Sequence, residues 1–186
     1  MHNPLILPDN LPAPIDDGGA RHLTGARLPD IALAATDGAQ VSLARLKGRT
    51  VVYVYPRTGR PGQPLPDGWD AIPGARGCTP QSCAFRDHFA EIKRLGVAQL
   101  YGLSTQTTDY QREAVERLHL PFAILSDADF RLTDALGLPT FETSGMRLIK
   151  RMAWIVDDGV ITHVFYPVFP PDRNAGDVVA WLTANG

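Results

Sequence analysis

Apolar residues along the middle of the chain alternate between continuous runs and helical spacing. Residues 50–55, Thr-Val-Val-Tyr-Val-Tyr, are β-branched or aromatic throughout, the composition of a strand buried on both faces. Residues 97–103 and 121–125 give two further strand-like runs. Between the runs 50–55 and 97–103, Phe85, Phe89, Ile92 and Leu95 recur on one helical stripe that stops at Gly96, which predicts a single helix with a buried face. Thr108 followed three residues later by Gln111 reads as a capping box, opening a helix through Tyr110, Ala114, Val115 and Leu118. Residues 127–136 form a further helical segment closed by Gly137, and residues 138–147 read as an irregular crossing. Residues 152–156 and 160–166 are strands joined by the turn-forming Asp157-Asp158-Gly159. Asn174 is placed to cap a last helix whose apolar face is Val178, Val179, Trp181 and Leu182.

Upstream, Ile31 and Leu33, the turn Thr36-Asp37-Gly38, then Val41 and Leu43 predict an N-terminal β-hairpin, followed by one helical turn ended by Gly48. Residues 1–27 hold four prolines and little periodicity, so they read as an N-terminal arm, with residues 28–186 as one domain. The order of strands and helices predicts an α/β fold, a mixed central sheet with helices on both faces.

A chain of 186 residues that is 44% hydrophobic is long enough to close one sizeable core. Its formal net charge of -2 gives no general attraction for phosphate backbones or anionic lipid, so neither nucleic acid nor membrane is an expected partner. The N-terminal residues lack a basic segment followed by an apolar stretch, and no apolar run is long enough to span a bilayer. The expected compartment is the cytoplasm, where a thiol pair is kept reduced and a disulfide belongs to a cycle.

Chemistry concentrates in residues 74–88, which hold both cysteines of the chain. Thr79-Pro80 reads as a helix start, which puts Cys78 at the positive end of a helix dipole, and Arg76 adds charge nearby. Cys78 is therefore expected to react as a thiolate, the nucleophile that attacks peroxides and disulfides, with Cys83 five residues on to trap the oxidised product. From spacing alone two unrelated packing residues are the commoner case; the helix start favours the redox reading. A metal site is not expected, because the five histidines are scattered without ligand spacing. The segment between Pro56 and Cys78 is dense in proline and glycine, and Trp69 and Ile72 within it predict an ordered lid.

A right-handed crossover makes strands 50–55 and 97–103 parallel and puts Cys78 at their carboxyl edge. If strand 152–156 runs antiparallel to them, Arg151 starts at that same edge and faces Cys78, where a permanent charge stabilises a thiolate and a developing oxyanion.

These blocks, Val51-Val-Tyr-Val-Tyr-Pro56, Gly77-Cys-Thr-Pro-Gln-Ser-Cys-Ala-Phe-Arg-Asp87, Leu125-Ser-Asp-Ala-Asp129 and Arg151-Met-Ala-Trp-Ile-Val-Asp157, resemble the successive blocks of the peroxiredoxins, above all the Q-type or bacterioferritin-comigratory branch. The resemblance covers roughly residues 28–183. It implies a thioredoxin-like fold and a thiol-dependent peroxidase acting on hydrogen peroxide or organic hydroperoxides, recycled by a thioredoxin-like reductant, with no cofactor, as a monomer or homodimer. Cys78 takes the place of the peroxidatic cysteine, Cys83 that of the resolving cysteine, and Arg151 that of the arginine on the later strand. The family's Pro-x-x-x-Thr-x-x-Cys motif departs here. Ala75 stands where the threonine belongs, and Cys78 lies 22 positions beyond Pro56 rather than 7, an insertion of 15. Either Thr58 or a backbone group substitutes for the missing hydroxyl, with the lid inserted inside the motif, or the positioning of peroxide is degraded. The alternative function is a peroxiredoxin-like redox sensor or binding protein without efficient turnover.

Overall fold

The computed structural model describes residues 7–186. Its sheet contains seven strands in the order β2-β1-β5-β4-β3-β8-β9. They are β1 Ala32–Ala35, β2 Gln40–Ser42, β3 Arg49–Val54, β4 Val97–Ser104, β5 Ile124–Ser126, β8 Met152–Asp157 and β9 Val160–Phe165. Strands β6 Thr140–Thr143 and β7 Met146–Ile149 form a separate hairpin. The helices are α1 Cys78–Asp87, α2 Phe89–Arg94, α3 Thr108–Leu118, α4 Arg131–Leu136 and α5 Asn174–Ala184.

Alternation along β3 divides the core in two. Val51 and Tyr53, with Tyr55 just beyond the strand, face Phe85, Ile92, Leu118, Val178 and Leu182 of the helices. Val52 and Val54 face the other way, onto Leu132 and Leu136 of α4 and onto Leu23 and Leu28 from the N-terminal segment. Helices therefore cover both faces of a mixed sheet, as the pattern predicts. Strand β3 pairs parallel with β4 and antiparallel with β8, Val54 opposite Met152. The expected N-terminal hairpin is formed by β1 and β2.

Four local expectations are corrected. The helix expected over the stripe from Phe85 to Leu95 is two helices, because the backbone turns out of helical geometry at His88 (φ -90°, ψ 1°). The segment 138–147 is ordered as most of the β6–β7 hairpin, since Leu148 finds a partner in Trp69 of the distant loop. Gln111 forms no capping box with Thr108; its side-chain amide is buried and donates to Ser104 Oγ and the Leu125 carbonyl, both at 2.9 Å, tying β4 to β5. Helix α4 starts at Arg131 rather than 127, with the Asp127 carboxylate accepting from the Leu132 and Thr133 amides at its first turn.

Candidate active site

The carboxyl ends of β3 and β4 and the start of β8 lie along one edge of the sheet. Helix α1 begins there because Gly77 makes the turn into it. Gly77 has φ 101°, and a Cβ on it would lie 2.3 Å from Pro171 Cγ, so this position demands glycine on both counts. Gly77, not a Thr79 hydroxyl, is the N-cap, and Cys78 is the first residue of the helix. The helix is held on the sheet by Phe85 stacked on Tyr53 at 4.5 Å between ring centroids and by a bond from Tyr53 Oη to Ser82 Oγ at 3.1 Å. Gly102 on the neighbouring strand leaves the room that the Tyr53 ring needs, since a Cβ there would meet Tyr53 Oη at 2.8 Å.

Cys78 is 3% exposed and Arg151 is 3% exposed. Arg151 Nη2 lies 3.2 Å from Cys78 Sγ and also donates to the Ala75 and Arg76 carbonyls at 3.1 and 3.0 Å. Its Nε donates to the Gly74 carbonyl at 3.3 Å and its Nη1 to Gln81 Oε1. Among the described residues no carboxylate forms an ion pair with Arg151. A buried guanidinium satisfied only by neutral acceptors is uncompensated in charge, and the group beside it able to carry a negative charge is the Cys78 sulfur.

Sequence reasoning missed two residues of this cluster. Gln81, fully buried, takes Arg151 on its oxygen and donates from Nε2 to Asn174 Oδ1 at 2.9 Å. Asn174 is thereby spent on the site and does not cap α5, whose N-cap is Arg173. The available signal was a buried-side glutamine one turn after the cysteine, facing the sheet rather than water.

Cys83 is on the same helix, half-buried, and both cysteines are free thiols. Burial pushes the Cys83 thiol up, with the nearby Arg86 charge opposing. Thr58 is fully buried, and its hydroxyl donates to Gln106 Oε1 at 3.2 Å. Ala75 contributes its carbonyl, which accepts from Cys78 Sγ at 3.6 Å. Among the described residues no group of three or more histidine, cysteine or acidic side chains is placed to hold a metal ion, and no helix is long and apolar enough to cross a membrane.

The loop before α1 is packed down as an ordered cover. Trp69, 3% exposed, sits with Ala75 and Leu148 in a small core joined by Leu65, Ile72, Phe141 and Met146. Arg76 Nη1 reaches Asp70 at 2.6 Å across the same loop.

Sheet order, the cysteine at a helix start and the arginine at the start of an antiparallel strand define a thioredoxin-like protein with a buried thiol site. The Redoxin family profile matches residues 23–179. Peroxiredoxin Bcp of Escherichia coli K12 is 32% identical over 159 residues, 83% of this chain and 91% of the relative. The chloroplastic peroxiredoxin Q of rice (Oryza sativa subsp. japonica) is 32% identical over 162 residues, 85% of this chain, which spans 65% of that relative's length. Peroxidoxin BcpB from Mycobacterium tuberculosis superimposes with a TM-score of 0.68 at 25% identity, covering 87% of this chain and 96% of the other. The chain belongs to the Redoxin family and, within it, to the Q-type or Bcp peroxiredoxins.

Proposed function

We propose that residues 28–186 are a thiol-dependent peroxidase that reduces hydrogen peroxide or organic hydroperoxides. The observation that carries this is the 3.2 Å approach of Arg151 Nη2 to the buried Cys78 sulfur, with no carboxylate paired to that arginine among the described residues. In the proposed cycle the Cys78 thiolate attacks the distal peroxide oxygen, forming an S–O bond as the O–O bond breaks. The leaving oxygen departs with the electron pair and takes a proton to become water or an alcohol, and Cys78 is left as sulfenic acid. The Cys83 sulfur then attacks Cys78, a disulfide forms, and water leaves. A dithiol protein of the thioredoxin class supplies two electrons and two protons to restore both thiols, which suits a reducing compartment such as the cytoplasm.

Cys78→Ser is expected to abolish peroxide reduction, because a hydroxyl cannot supply the anion. Cys83→Ser should retain the first oxidation, stall without an added small thiol and over-oxidise more readily. Single-turnover thiol titration with mass spectrometry checks both; equal and complete loss of the first step in the two variants would overturn the assignment of roles.

A second reading is supported by Ala75 and Thr58. With no hydroxyl at position 75 and the hydroxyl proton of Thr58 donated to Gln106, neither residue offers a free hydroxyl where the family motif supplies one for positioning peroxide. In that reading the chain is a sensor that forms the disulfide slowly and signals by the resulting change of shape. Peroxide consumption coupled to thioredoxin and its reductase separates the two. Repeated turnover supports the enzyme, and one slow equivalent per chain supports the sensor.

A further inference from the structure

Building on the peroxidase reading, we propose that the segment 57–77 is a size filter, closing over Cys78 a chamber that admits hydrogen peroxide and excludes hydroperoxides with branched alkyl groups, with Trp69 and Leu65 as the specificity-determining residues. The chamber is about 20 Å³. A single water needs roughly 10–15 Å³ on this measure, so there is space for one to two oxygen-sized groups. Four of its lining residues, Arg57, Gly59, Leu65 and Trp69, belong to the first part of that segment, and the rest is the turn from Arg76 into α1. The segment is therefore the roof of the site.

The segment is fastened at its start and at Trp69, while residues 61–64 between them are exposed. Thr58 and Gln106 exchange bonds between the Thr58 amide and Gln106 Oε1 at 2.9 Å and between Gln106 Nε2 and the Thr58 carbonyl at 3.2 Å. Arg117 Nη2 donates to the Gly59 carbonyl at 3.1 Å. In the middle, Trp69 packs against Phe141 of the β6–β7 hairpin with ring centroids 6.2 Å apart. Arg57 marks the way in. It lines both the chamber and an outer groove of about 550 Å³ beside Tyr110 and Met146, and its guanidinium rests on the Met146 sulfur at 3.3 Å and the Tyr110 hydroxyl at 3.4 Å. Swinging this one side chain lets a two-oxygen molecule pass, whereas a tertiary alkyl group has to displace Trp69 or Leu65 as well.

The test compares kcat/KM for hydrogen peroxide and tert-butyl hydroperoxide in the wild-type chain, Trp69→Ala and Leu65→Ala, reading the ratio so that intrinsic reactivity cancels between variants. Steric exclusion of this kind predicts a fall in the ratio of at least about tenfold in the variants, carried by faster reduction of the bulky substrate. Leu65→Ala trims the roof while leaving the Trp69 to Phe141 contact, so it keeps the test alive if Trp69→Ala does not fold. In parallel, Cys78 is modified in a Cys83→Ser background with methyl methanethiosulfonate and with N-phenylmaleimide, and the same variants should narrow the gap between small and large reagent. If no protein reduces either peroxide but the reagent gap still narrows, the filter stands and the peroxidase reading falls. An unchanged peroxide ratio and an unchanged reagent gap in both variants would overturn the filter.

Discussion

Arg151 is buried with its donors spread over three carbonyls, an amide oxygen and one sulfur, an arrangement that holds its position whether or not Cys78 is charged. What changes with the sulfur is the electrostatic compensation of the guanidinium, so Arg151→Met should act on reactivity more than on folding. The expected result at pH 7 is a drop on the order of 100-fold in the rates of Cys78 alkylation and peroxide oxidation, the size seen when one preorganised donor is removed from an anion site. Unchanged rates would show that the 3.2 Å contact has no chemical consequence. Cys83 has the opposite environment. Burial pushes the pKa of its thiol up, leaving it mainly the neutral thiol at neutral pH, and the thiolate fraction able to attack a sulfenic acid grows as pH rises. Dimedone trapping of the Cys78 sulfenic acid should therefore decline between about pH 6 and about pH 9 as Cys83 wins the competition, and a flat yield would contradict it. Gly77 limits the site differently. Gly77→Ala forces a side chain into a left-handed turn and against Pro171, so urea denaturation should show a loss of at least about 1–3 kcal/mol.

Helix α1 carries both thiols, and its regularity sets a mechanical problem. Positions five apart on one helix are separated by about 8.7 Å between Cα atoms, beyond the roughly 7 Å that a disulfide tolerates. Forming the bond must unwind the first turn, breaking the Arg151 to Gln81 to Asn174 chain that anchors it, while Pro80 contributes no backbone donor to be lost. Hydrogen exchange should be slow across residues 78–84 in the reduced protein and fast after one equivalent of peroxide, and equal protection in both redox states would exclude the unwinding. The sequence carried the strands that flank this helix because their signals are local. The run in β3 and the Asp-Asp-Gly turn between β8 and β9 need no partner to be read. It also carried the two cysteines and, through the antiparallel placement of β8, the arginine. What it did not carry depends on distant partners. The β6–β7 hairpin has an unremarkable Thr-Phe-Glu-Thr-Ser-Gly-Met-Arg-Leu-Ile sequence and is organised by Trp69, about 70 residues away. Likewise, the polar residues read as caps at Thr79, Gln111 and Asn174 are all buried against other elements, and Gln111 and Asn174 bond across the fold, because burial leaves an amide no other partner.

At the scale of the whole molecule, the site is enclosed by segments from three parts of the chain: the loop before α1 above it, the turn around Pro171 beside Gly77, and the N-terminal segment behind Arg151. The last of these is secured beside the catalytic edge. Asp17 accepts from Lys150 Nζ at 2.6 Å and from Tyr166 Oη at 2.7 Å, and Lys150 directly precedes Arg151. Lys150, Tyr166 and the Gly19 amide hold the Asp17 carboxyl well below the usual carboxylate range, and burial followed by that carboxylate pushes Tyr166 up. A carboxylate held low in the folded state contributes its full tethering above its unfolded value and loses it as pH falls through the folded one, so this attachment persists at any pH near neutral and yields only in strong acid. Because Asp17 is on the surface, with 43% of its side chain exposed, its loss should act on the segment rather than on global stability. Asp17→Asn is thus expected to speed proteolysis and hydrogen exchange of residues 7–27 at neutral pH while the thermal midpoint stays close to that of the wild type. The wild-type segment should match the variant only after strong acidification. Identical protection of residues 7–27 in the two proteins at neutral pH would show that the burial of Leu23 and Leu28 against the sheet holds the segment without the charge.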